Sequence, residues 1–287
     1  NNPAPPPTVI NNRFVLNRRI GQGSSGQVFS AYDMETGNHA IVVKFTLDAE
    51  SYNNEKNFLD ECKGTRGFPK KVYNYDFMIL NRTCYCIVQS YEGFSFNKVF
   101  RMPNVLQQPS NILKIGYRLF LLLEKMHQMG YVHRDVHASN IVVDNNWEGE
   151  LEIGLIDFGR TRPSIPPTES VDERARHLSL NVLRGERYEP HDDLISMVFS
   201  LMIMFRMQTF TDEELVAQKQ AFHEDPMSYF PTEDTKWVGR LYQYINSQRN
   251  QPYSREGIVA TFHSALDGVK PTDPISFRYH DRLFWID

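Results

Sequence analysis

Two short stretches of the chain carry side chains suited to phosphate chemistry. Residues 133–140 (HRDVHASN) place the carboxylate of Asp135 five positions before the amide of Asn140, and residues 157–159 (DFG) place the carboxylate of Asp157 before a glycine. Carboxylate and amide oxygens are hard ligands that suit Mg²⁺, and a carboxylate can also accept the proton of a hydroxyl group. Two separate carboxylates allow one to face a metal ion and the other a nucleophile.

A glycine-rich stretch near the N-terminus could cover phosphate groups. Gly21, Gly23 and Gly26 precede Val28 in a G-x-G-x-x-G-x-V pattern, and glycine lets backbone N–H groups approach phosphate oxygens. The same glycine spacing occurs in dinucleotide-binding folds, where a helix follows it. Here the residues that follow have a strand pattern, which favours a glycine-rich hairpin.

The elements predicted around these stretches divide the chain into a β-rich part and a helical part. Short apolar or alternating runs predict strands at residues 14–20, 27–33, 39–47, 72–77 and 85–89, with one helix at 51–62. After residue 93 the apolar spacing becomes helical and predicts helices at residues 112–126, 194–205, 213–220, 237–245 and 258–266. We expect an α+β fold with an N-terminal lobe at about 13–92 and a C-terminal lobe at about 93–287. A flexible proline-rich segment, residues 1–12, precedes both.

Composition limits the partners and the compartment. A hydrophobic content of 41% and a charged content of 23% are typical of a soluble globular protein. A formal net charge of −4 gives no general attraction to nucleic acid or to an anionic membrane, and no apolar run reaches the ~18 residues that span a bilayer. Three cysteines form no disulfide framework and suit a reducing compartment. We expect a monomer in the cytoplasm or nucleus, without nucleic-acid or membrane partners.

The glycine-rich, HRDVHASN and DFG stretches together resemble the motifs of the eukaryotic protein kinases. The resemblance implies a bilobal protein-kinase fold, ATP with Mg²⁺ as cofactors (Mn²⁺ is an alternative), and a protein substrate. It implies that Asp135 accepts or orients the proton of the substrate hydroxyl, and that Asn140 and Asp157 hold the metal.

The resemblance also implies the residues that hold the nucleotide. Lys44, at the end of an apolar strand, would hold the α- and β-phosphates with Glu55 as its partner, although Glu50 and Glu61 are alternatives. Gln89 would lie behind the adenine, unless a shift of one residue places Val88 there. Ile20, Val28 and Val42 would form the roof of the adenine site, and Ile156 would lie near its floor. Ser90, Tyr91 and Glu92 would form the hinge. Gly21, Gly23 and Gly26 would belong to the hairpin that covers ATP.

A later segment narrows the resemblance to the casein kinase 1 group. Residues 174–181 (RARHLSLN) fit a small-Arg-aromatic-x-Ser-x-Asn pattern, and the paired aspartates Asp192 and Asp193 follow it. By this alignment Arg174 and Arg176 lie in the substrate-binding loop. Asp193 matches the buried helix aspartate that holds the catalytic-loop backbone. The pattern leaves open whether casein kinase 1, tau-tubulin kinase or vaccinia-related kinase is the nearest branch.

One residue departs from the pattern at a place that affects catalysis. Serine/threonine kinases carry a lysine two residues after the loop aspartate, and this chain carries His137. Imidazole is shorter than a lysine side chain, and losing a preorganised phosphate contact can cost about 10²-fold in rate. Arg174 stands where that lysine usually meets a threonine, so either its guanidinium replaces the lost charge or the contact is absent. The sequence therefore predicts an active serine/threonine kinase, with a pseudokinase that acts as a nucleotide-binding or scaffold module as the alternative.

Overall fold

The computed structural model describes residues 8–23, 26–99, 108–145, 150–165, 169, 175–207, 210–280 and 283–286. Within the chain, Asn1–Glu92 and Ile156–Arg160 form one compact unit, and Gly93–Leu155 and Thr161–Asp287 form a second.

The first unit is an antiparallel sheet with one helix. Its elements in chain order are β1 (Val9–Ile10), β2 (Phe14–Gly23), β3 (Gly26–Asp33), β4 (Asn38–Thr46), α1 (Ala49–Glu61), β5 (Lys71–Ile79) and β6 (Arg82–Ser90). The strand order is β1-β2-β3-β4-β6-β5, with every neighbouring pair antiparallel. The five predicted strands and the helix are confirmed.

Strand β1 lies within the segment at residues 1–12 that the sequence predicts to be flexible. Residues 1–7 lie outside the described residues, whereas Val9 and Ile10 pair with Val15 and Phe14 of β2. The hydrogen-bonded sheet therefore begins before residue 13, the predicted start of the domain. The prolines of this segment all precede the paired residues, which leaves the N–H groups of β1 available for the sheet.

Alternation along the strands gives the sheet two different faces. Successive side chains of a strand point to opposite faces, and directly paired residues share one face. Ile41, Val43, Cys86 and Val88 are buried in one apolar cluster with Phe14 and Ala31. Val42 and Lys44 therefore lie on the other face, opposite their partners on β6, which are Gln89 and Ile87.

The second unit is mainly helical. Its longer helices are α3 (Pro109–Gln128), α5 (Pro190–Met204), α6 (Leu215–Glu224), α7 (Glu233–Ser247) and α8 (Arg255–His263). Its short elements are β7 (Phe94–Ser95), α2 (Phe96–Val99), β8 (Tyr131–Val132), β9 (Ile141–Asn145), β10 (Leu151–Leu155), β11 (Arg162–Pro163), α4 (Leu180–Leu183), a 3₁₀ turn (Pro226–Tyr229), β12 (Phe277–His280) and β13 (Leu283–Ile286). The five helices predicted for this part are confirmed, with ends that differ by a few residues.

Helix α5 is the centre of the second unit. Almost all of its side chains are buried, including those on opposite sides of the helix, and it packs against α3 and α7. A helix that is apolar all round must be covered by other elements. Among the described helices, none is both long enough and apolar enough to cross a membrane.

Candidate active site

Lys44 and two carboxylates form a buried ion cluster in the first unit. The Nζ atom of Lys44 lies 2.5 Å from Oε2 of Glu55 and 2.7 Å from Oδ1 of Asp157. Burial would lower the pKa of Lys44, but the charges of Asp157 and Glu55 overcome this effect and raise it above its usual value. Burial raises the pKa of Glu55, and the ammonium group of Lys44 opposes that shift. Of the three glutamates left open by the sequence, Glu55 is the one that meets Lys44.

Glu55 reaches this cluster because it lies on the buried face of helix α1. Asp48 caps the helix by accepting a hydrogen bond from the N–H of Glu50, which satisfies one of the free donors at the helix start. The buried face contains Ser51, Tyr52, Glu55, Phe58 and Leu59, which recur at helical spacing. A glutamate on this face is carried into the core, where only the ion cluster compensates its charge.

The same helix holds the segment that contains Asp157. The side-chain amide of Asn54 donates to the carbonyl oxygen of Gly159 at 2.8 Å. A Cβ atom on Gly159 would lie 2.2 Å from the hydroxyl oxygen of Ser51, so a larger residue there would require the Ser51 side chain to turn away. The ring of Phe158 is fully buried, with its centroid 4.3 Å from that of Phe58. These contacts fix Asp157 in a left-handed conformation with φ of 66°.

The strand register brings several predicted nucleotide contacts into one row. Gly21 of β2 pairs with Val28 of β3, and Val28 pairs with Lys44 of β4. Gly23 and Gly26 face each other where the β2–β3 hairpin turns. A side chain at Gly26 is excluded, since its Cβ would lie 1.9 Å from the carbonyl oxygen of Phe45.

Gln89 shares the sheet face of Lys44, and Val88 does not. Val88 belongs to the apolar cluster on the opposite face, whereas Gln89 is paired with Val42. The Oε1 atom of Gln89 is buried and has no hydrogen-bond partner among the described residues. Leaving a buried acceptor unpaired costs about 1–3 kcal/mol. The register thus favours Gln89 over Val88 as the residue that shares this face with Lys44.

The predicted hinge follows Gln89 directly. Ser90 exchanges backbone and side-chain hydrogen bonds with Lys70, and its hydroxyl also donates to the carboxylate of Glu92. The N–H of Tyr91 donates to the carbonyl oxygen of Ala40 at 3.0 Å. Ile20 in β2 and Ile156 beside Asp157, which are also predicted nucleotide contacts, have half-buried side chains.

Asp193 of α5 holds the backbone of the HRDVHASN loop in the second unit. Its carboxylate accepts hydrogen bonds from the N–H groups of His133, at 2.7 Å, and Arg134, at 2.9 Å. The Tyr188 hydroxyl donates to the same group at 2.8 Å, and Nε2 of His127 lies 3.1 Å away. Burial would raise the pKa of Asp193, but the contact with His127 and the hydrogen bond and charge of His133 hold it below its usual value. The expected role of Asp193 is confirmed by these contacts.

Asp135 and Asn140 are joined within that loop. The Nδ2 atom of Asn140 donates to the backbone oxygen of Asp135 at 2.9 Å and to its Oδ2 at 3.0 Å. Among the described residues no hydrogen bond uses the Oδ1 atom of Asn140, so this oxygen could face a metal. Nε2 of His137 lies 3.5 Å from Oδ1 of Asp135 and 3.2 Å from Nδ2 of Asn140. The substituted residue therefore contacts both members of the pair.

A second imidazole reaches Asp135, which the sequence reasoning missed. Nε2 of His177 lies 3.4 Å from Oδ1 of Asp135, and its ring centroid is 5.3 Å from that of His137. Burial would raise the pKa of Asp135, but His137, His177 and His133 hold it below its usual value. The available signal was a histidine at the aromatic position of the small-Arg-aromatic pattern.

The predicted substrate-loop arginines have different outcomes. Arg174 lies outside the described residues. Arg176 is exposed and forms a two-pronged ion pair with Asp212, with N–O distances of 2.7 Å for both contacts. An exposed pair of this kind contributes little to stability, and it neutralises the charge that an anionic substrate group would meet.

The donor atoms fit Mg²⁺. Asp157 offers a carboxylate and Asn140 an amide oxygen, and Mg²⁺ binds few protein oxygens together with waters and substrate phosphates. The described residues contain no group of three or more His, Cys, Asp or Glu side chains arranged as a metal cage. Each of these two oxygens, one in the first unit and one in the second, is of the kind that Mg²⁺ accepts.

Comparison with known proteins agrees with this geometry. The family model described as "Protein kinase domain" matches residues 14–255. The chain is 23% identical to casein kinase I homolog 2 of Saccharomyces cerevisiae over 204 residues, and this alignment covers 66% of the chain and 36% of that protein. Over 201 residues it is 23% identical to casein kinase I homolog RAG8 of Kluyveromyces lactis, covering 65% of this chain and 37% of that protein. The aligned part thus spans little more than a third of these relatives. The chain belongs to the protein kinase family, has its bilobal α+β fold, and is similar within it to the casein kinase 1 group.

Proposed function

We propose that the chain is an ATP-dependent serine/threonine protein kinase of the casein kinase 1 type. The observation that carries this proposal is the complete ion cluster in the first unit, in which Lys44 contacts both Glu55 and Asp157. Three buried or half-buried charges are costly to maintain. Such a cluster is expected where it must meet the phosphates and metal of a nucleotide.

The proposed roles follow from the charges and donors of each residue. Lys44 binds the α- and β-phosphates, and Glu55 holds its ammonium group in place. Asp157 and Asn140 hold Mg²⁺, which neutralises charge on the phosphates when it is bound. Asp135 receives the proton of the substrate hydroxyl as the hydroxyl oxygen bonds to the γ-phosphorus and the bond from that phosphorus to ADP breaks.

The substrate side of the proposal rests on fewer contacts. Arg174 and Arg176 belong to the proposed substrate-binding loop, in which Arg176 is already paired with Asp212. We therefore expect no strong preference for substrates that already carry a phosphate. The proposed lobes are residues 8–92 and 93–287, with the start moved from 13 to 8 to include β1.

His137 supports a second candidate function. It replaces the lysine of active serine/threonine kinases, and together with His177 it occupies one oxygen of Asp135. A pseudokinase would keep the fold and bind nucleotide or a partner without transferring phosphate. The complete set of Lys44, Glu55, Asp135 and Asp157 favours catalysis over this alternative.

Phosphate transfer and metal-dependent binding distinguish the two functions. The wild-type chain, Asp157→Asn and the surface control Glu233→Gln are incubated with labelled ATP, Mg²⁺ and casein, and ATP-induced thermal stabilisation is measured with and without Mg²⁺. Glu233 is exposed and pairs with Lys236. The kinase proposal expects transfer and Mg²⁺-dependent stabilisation in wild type and Glu233→Gln, and a loss of about 10²-fold or more in Asp157→Asn. Stabilisation by ATP without transfer by any variant would favour the pseudokinase.

A further inference from the structure

We propose that His177 is a positioning residue that acts with His137 to hold the carboxylate of Asp135. This inference rests on the proposed kinase function, because it concerns the group that receives the substrate proton. The two imidazoles approach the same oxygen, with Nε2–Oδ1 distances of 3.5 Å for His137 and 3.4 Å for His177. The other oxygen of Asp135 accepts the amide hydrogen bond from Asn140.

These contacts leave the Asp135 carboxylate little freedom to rotate. Its side chain is 13% exposed, as is that of His177, while that of His137 is 33% exposed. The imidazole rings are tilted by 37° and lie next to each other. A proton acceptor works efficiently only in a fixed geometry. An imidazole at position 137 is shorter than a lysine side chain and holds the Asp135 carboxylate only in part. His177 supplies a second contact to the same oxygen.

The segment that carries His177 is anchored at three consecutive residues. The carbonyl oxygen of His177 accepts a hydrogen bond from the Ser196 hydroxyl at 2.7 Å. The carbonyl oxygen of Leu178 accepts one from Nζ of Lys219 at 2.5 Å. The Ser179 hydroxyl donates to Asp192 of α5 at 2.5 Å. Side chains supported in this way hold their geometry better than side chains on an unsupported loop.

Lys219 is an unusual anchor because its amino group is almost fully buried. The residue is 1% exposed, and its Nζ atom lies 3.4 Å from the ring centroid of Phe199 and 4.4 Å from that of Phe210. Burial lowers its pKa well below the usual value. A buried amine with one strong acceptor is costly to move, so the backbone next to His177 is held in one place.

The anchors and the two imidazoles together suggest why the lysine of the family pattern can be absent. A lysine at position 137 would contact Asp135 with one ammonium group. Here two nitrogens from two different segments, 40 positions apart in the chain, contact the same oxygen. We infer that the pair replaces the lysine as the group that orients Asp135.

Kinetics of matched variants test this role. His177→Phe keeps an aromatic ring and removes both ring nitrogens, and His177→Gln restores one polar group. We expect His177→Phe to lower kcat for casein by about tenfold or more, with KM for ATP changed by less than about twofold. His177→Gln recovers part of the loss. His223→Phe, which removes a half-buried histidine elsewhere in the same unit, is the control and leaves kcat unchanged.

A second background separates positioning from a general structural effect. In a His137→Lys chain the ammonium group contacts Asp135 by itself, so His177→Phe should then cost about threefold or less. A merely structural role would give the same loss in both backgrounds and would overturn the inference. An unchanged kcat in His177→Phe would also overturn it.

A spectroscopic measurement decides the contact without relying on activity. The ring signals of His177, assigned by NMR in the full chain, should shift when Asp135 is replaced by Asn, while those of His223 stay in place. Unshifted His177 signals would overturn the inference. If the wild type transfers no phosphate but the His177 signals respond to Asp135→Asn, the proposed function fails and the placement of His177 stands.

Discussion

Replacing Lys44 with methionine should destabilise the first unit strongly. Methionine keeps most of the apolar stem of lysine but removes the ammonium group, so the contacts at 2.5 Å to Glu55 and 2.7 Å to Asp157 are lost. The two carboxylates respond differently because the side chain of Asp157 is 24% exposed and that of Glu55 is 1% exposed. Asp157 can turn to water, whereas Glu55 must stay buried.

The size of the effect follows from the burial of Glu55. Removing one partner of a buried ion pair costs about 3–5 kcal/mol. The value for Lys44→Met should lie near the lower end, about 3 kcal/mol, since only one carboxylate stays buried. Oε1 of Glu55 already has no hydrogen-bond partner among the described residues, so no second contact limits the loss. Lys44→Met/Glu55→Gln should recover about 1–2 kcal/mol, because a neutral amide is cheaper to bury than a carboxylate.

The loss of stability should grow as the pH rises. Burial places the pKa of Glu55 above its usual value, and removing Lys44 takes away the charge that opposed this shift. A group with a raised pKa in the folded state contributes its stability below the unfolded pKa of ~4.3, and this contribution is lost as the pH rises through the folded value. The gap between wild type and Lys44→Met should therefore be smaller at pH 5 than at pH 8, whereas Lys44→Met/Glu55→Gln should show little of this dependence.

Urea unfolding followed by circular dichroism measures these differences, and hydrogen exchange of the α1 amides localises them to the first unit. A Lys44→Met chain as stable as wild type at pH 8 would refute the reasoning. So would a gap that narrows with rising pH, since this would mean that Glu55 is not the group left uncompensated.

Three more substitutions test other parts of the site. His137→Lys should raise kcat about tenfold in a steady-state assay, because a preorganised positive charge then meets the reacting groups, and a lower kcat would contradict this. Gln89→Leu should raise the free energy of unfolding by about 1 kcal/mol without nucleotide, since it removes an unpaired buried acceptor, and a loss of stability would count against it. Asp193→Asn should lower that free energy by about 3 kcal/mol, because an amide cannot accept from all the donors facing the carboxylate. A chain with unchanged urea unfolding would exclude this role.

Apolar runs and helical spacing explain why much of the first unit could be predicted. Residues 40–43 and 85–88 are short apolar runs rich in β-branched residues, which predicts strands. The alternation of side chains along a strand separates Gln89 from Val88 once the pairing with Val42 is known. The pairing itself is a tertiary feature, so the sequence left both residues open.

The choice among the three glutamates shows a similar limit. Ser51, Glu55 and Phe58 follow helical spacing and are buried, whereas Glu50 and Glu61 are exposed. Local periodicity can place Glu55 on the apolar face of α1. It cannot show that Lys44 lies opposite, because that depends on how α1 packs against the sheet.

The contact between His177 and Asp135 could not be predicted from local patterns. His177 meets Asp135 across 42 positions of chain, and the contact depends on the anchors provided by Ser196 and Lys219. From residue types alone Arg174 is the candidate replacement, because its guanidinium group carries the positive charge that His137 does not supply as a lysine would. Polar contacts between distant segments are set by packing, which residue types alone do not specify.

The most direct test of the proposed kinase function is phosphate transfer by the wild-type chain beside Asp135→Asn. Both proteins are incubated with labelled ATP and Mg²⁺, alone and with casein, and the labelled amino acids are identified after hydrolysis. A working kinase should give label on serine or threonine with the wild type and almost none with Asp135→Asn, although both proteins fold and bind ATP. Equal background labelling by the two folded proteins would contradict the proposed kinase function.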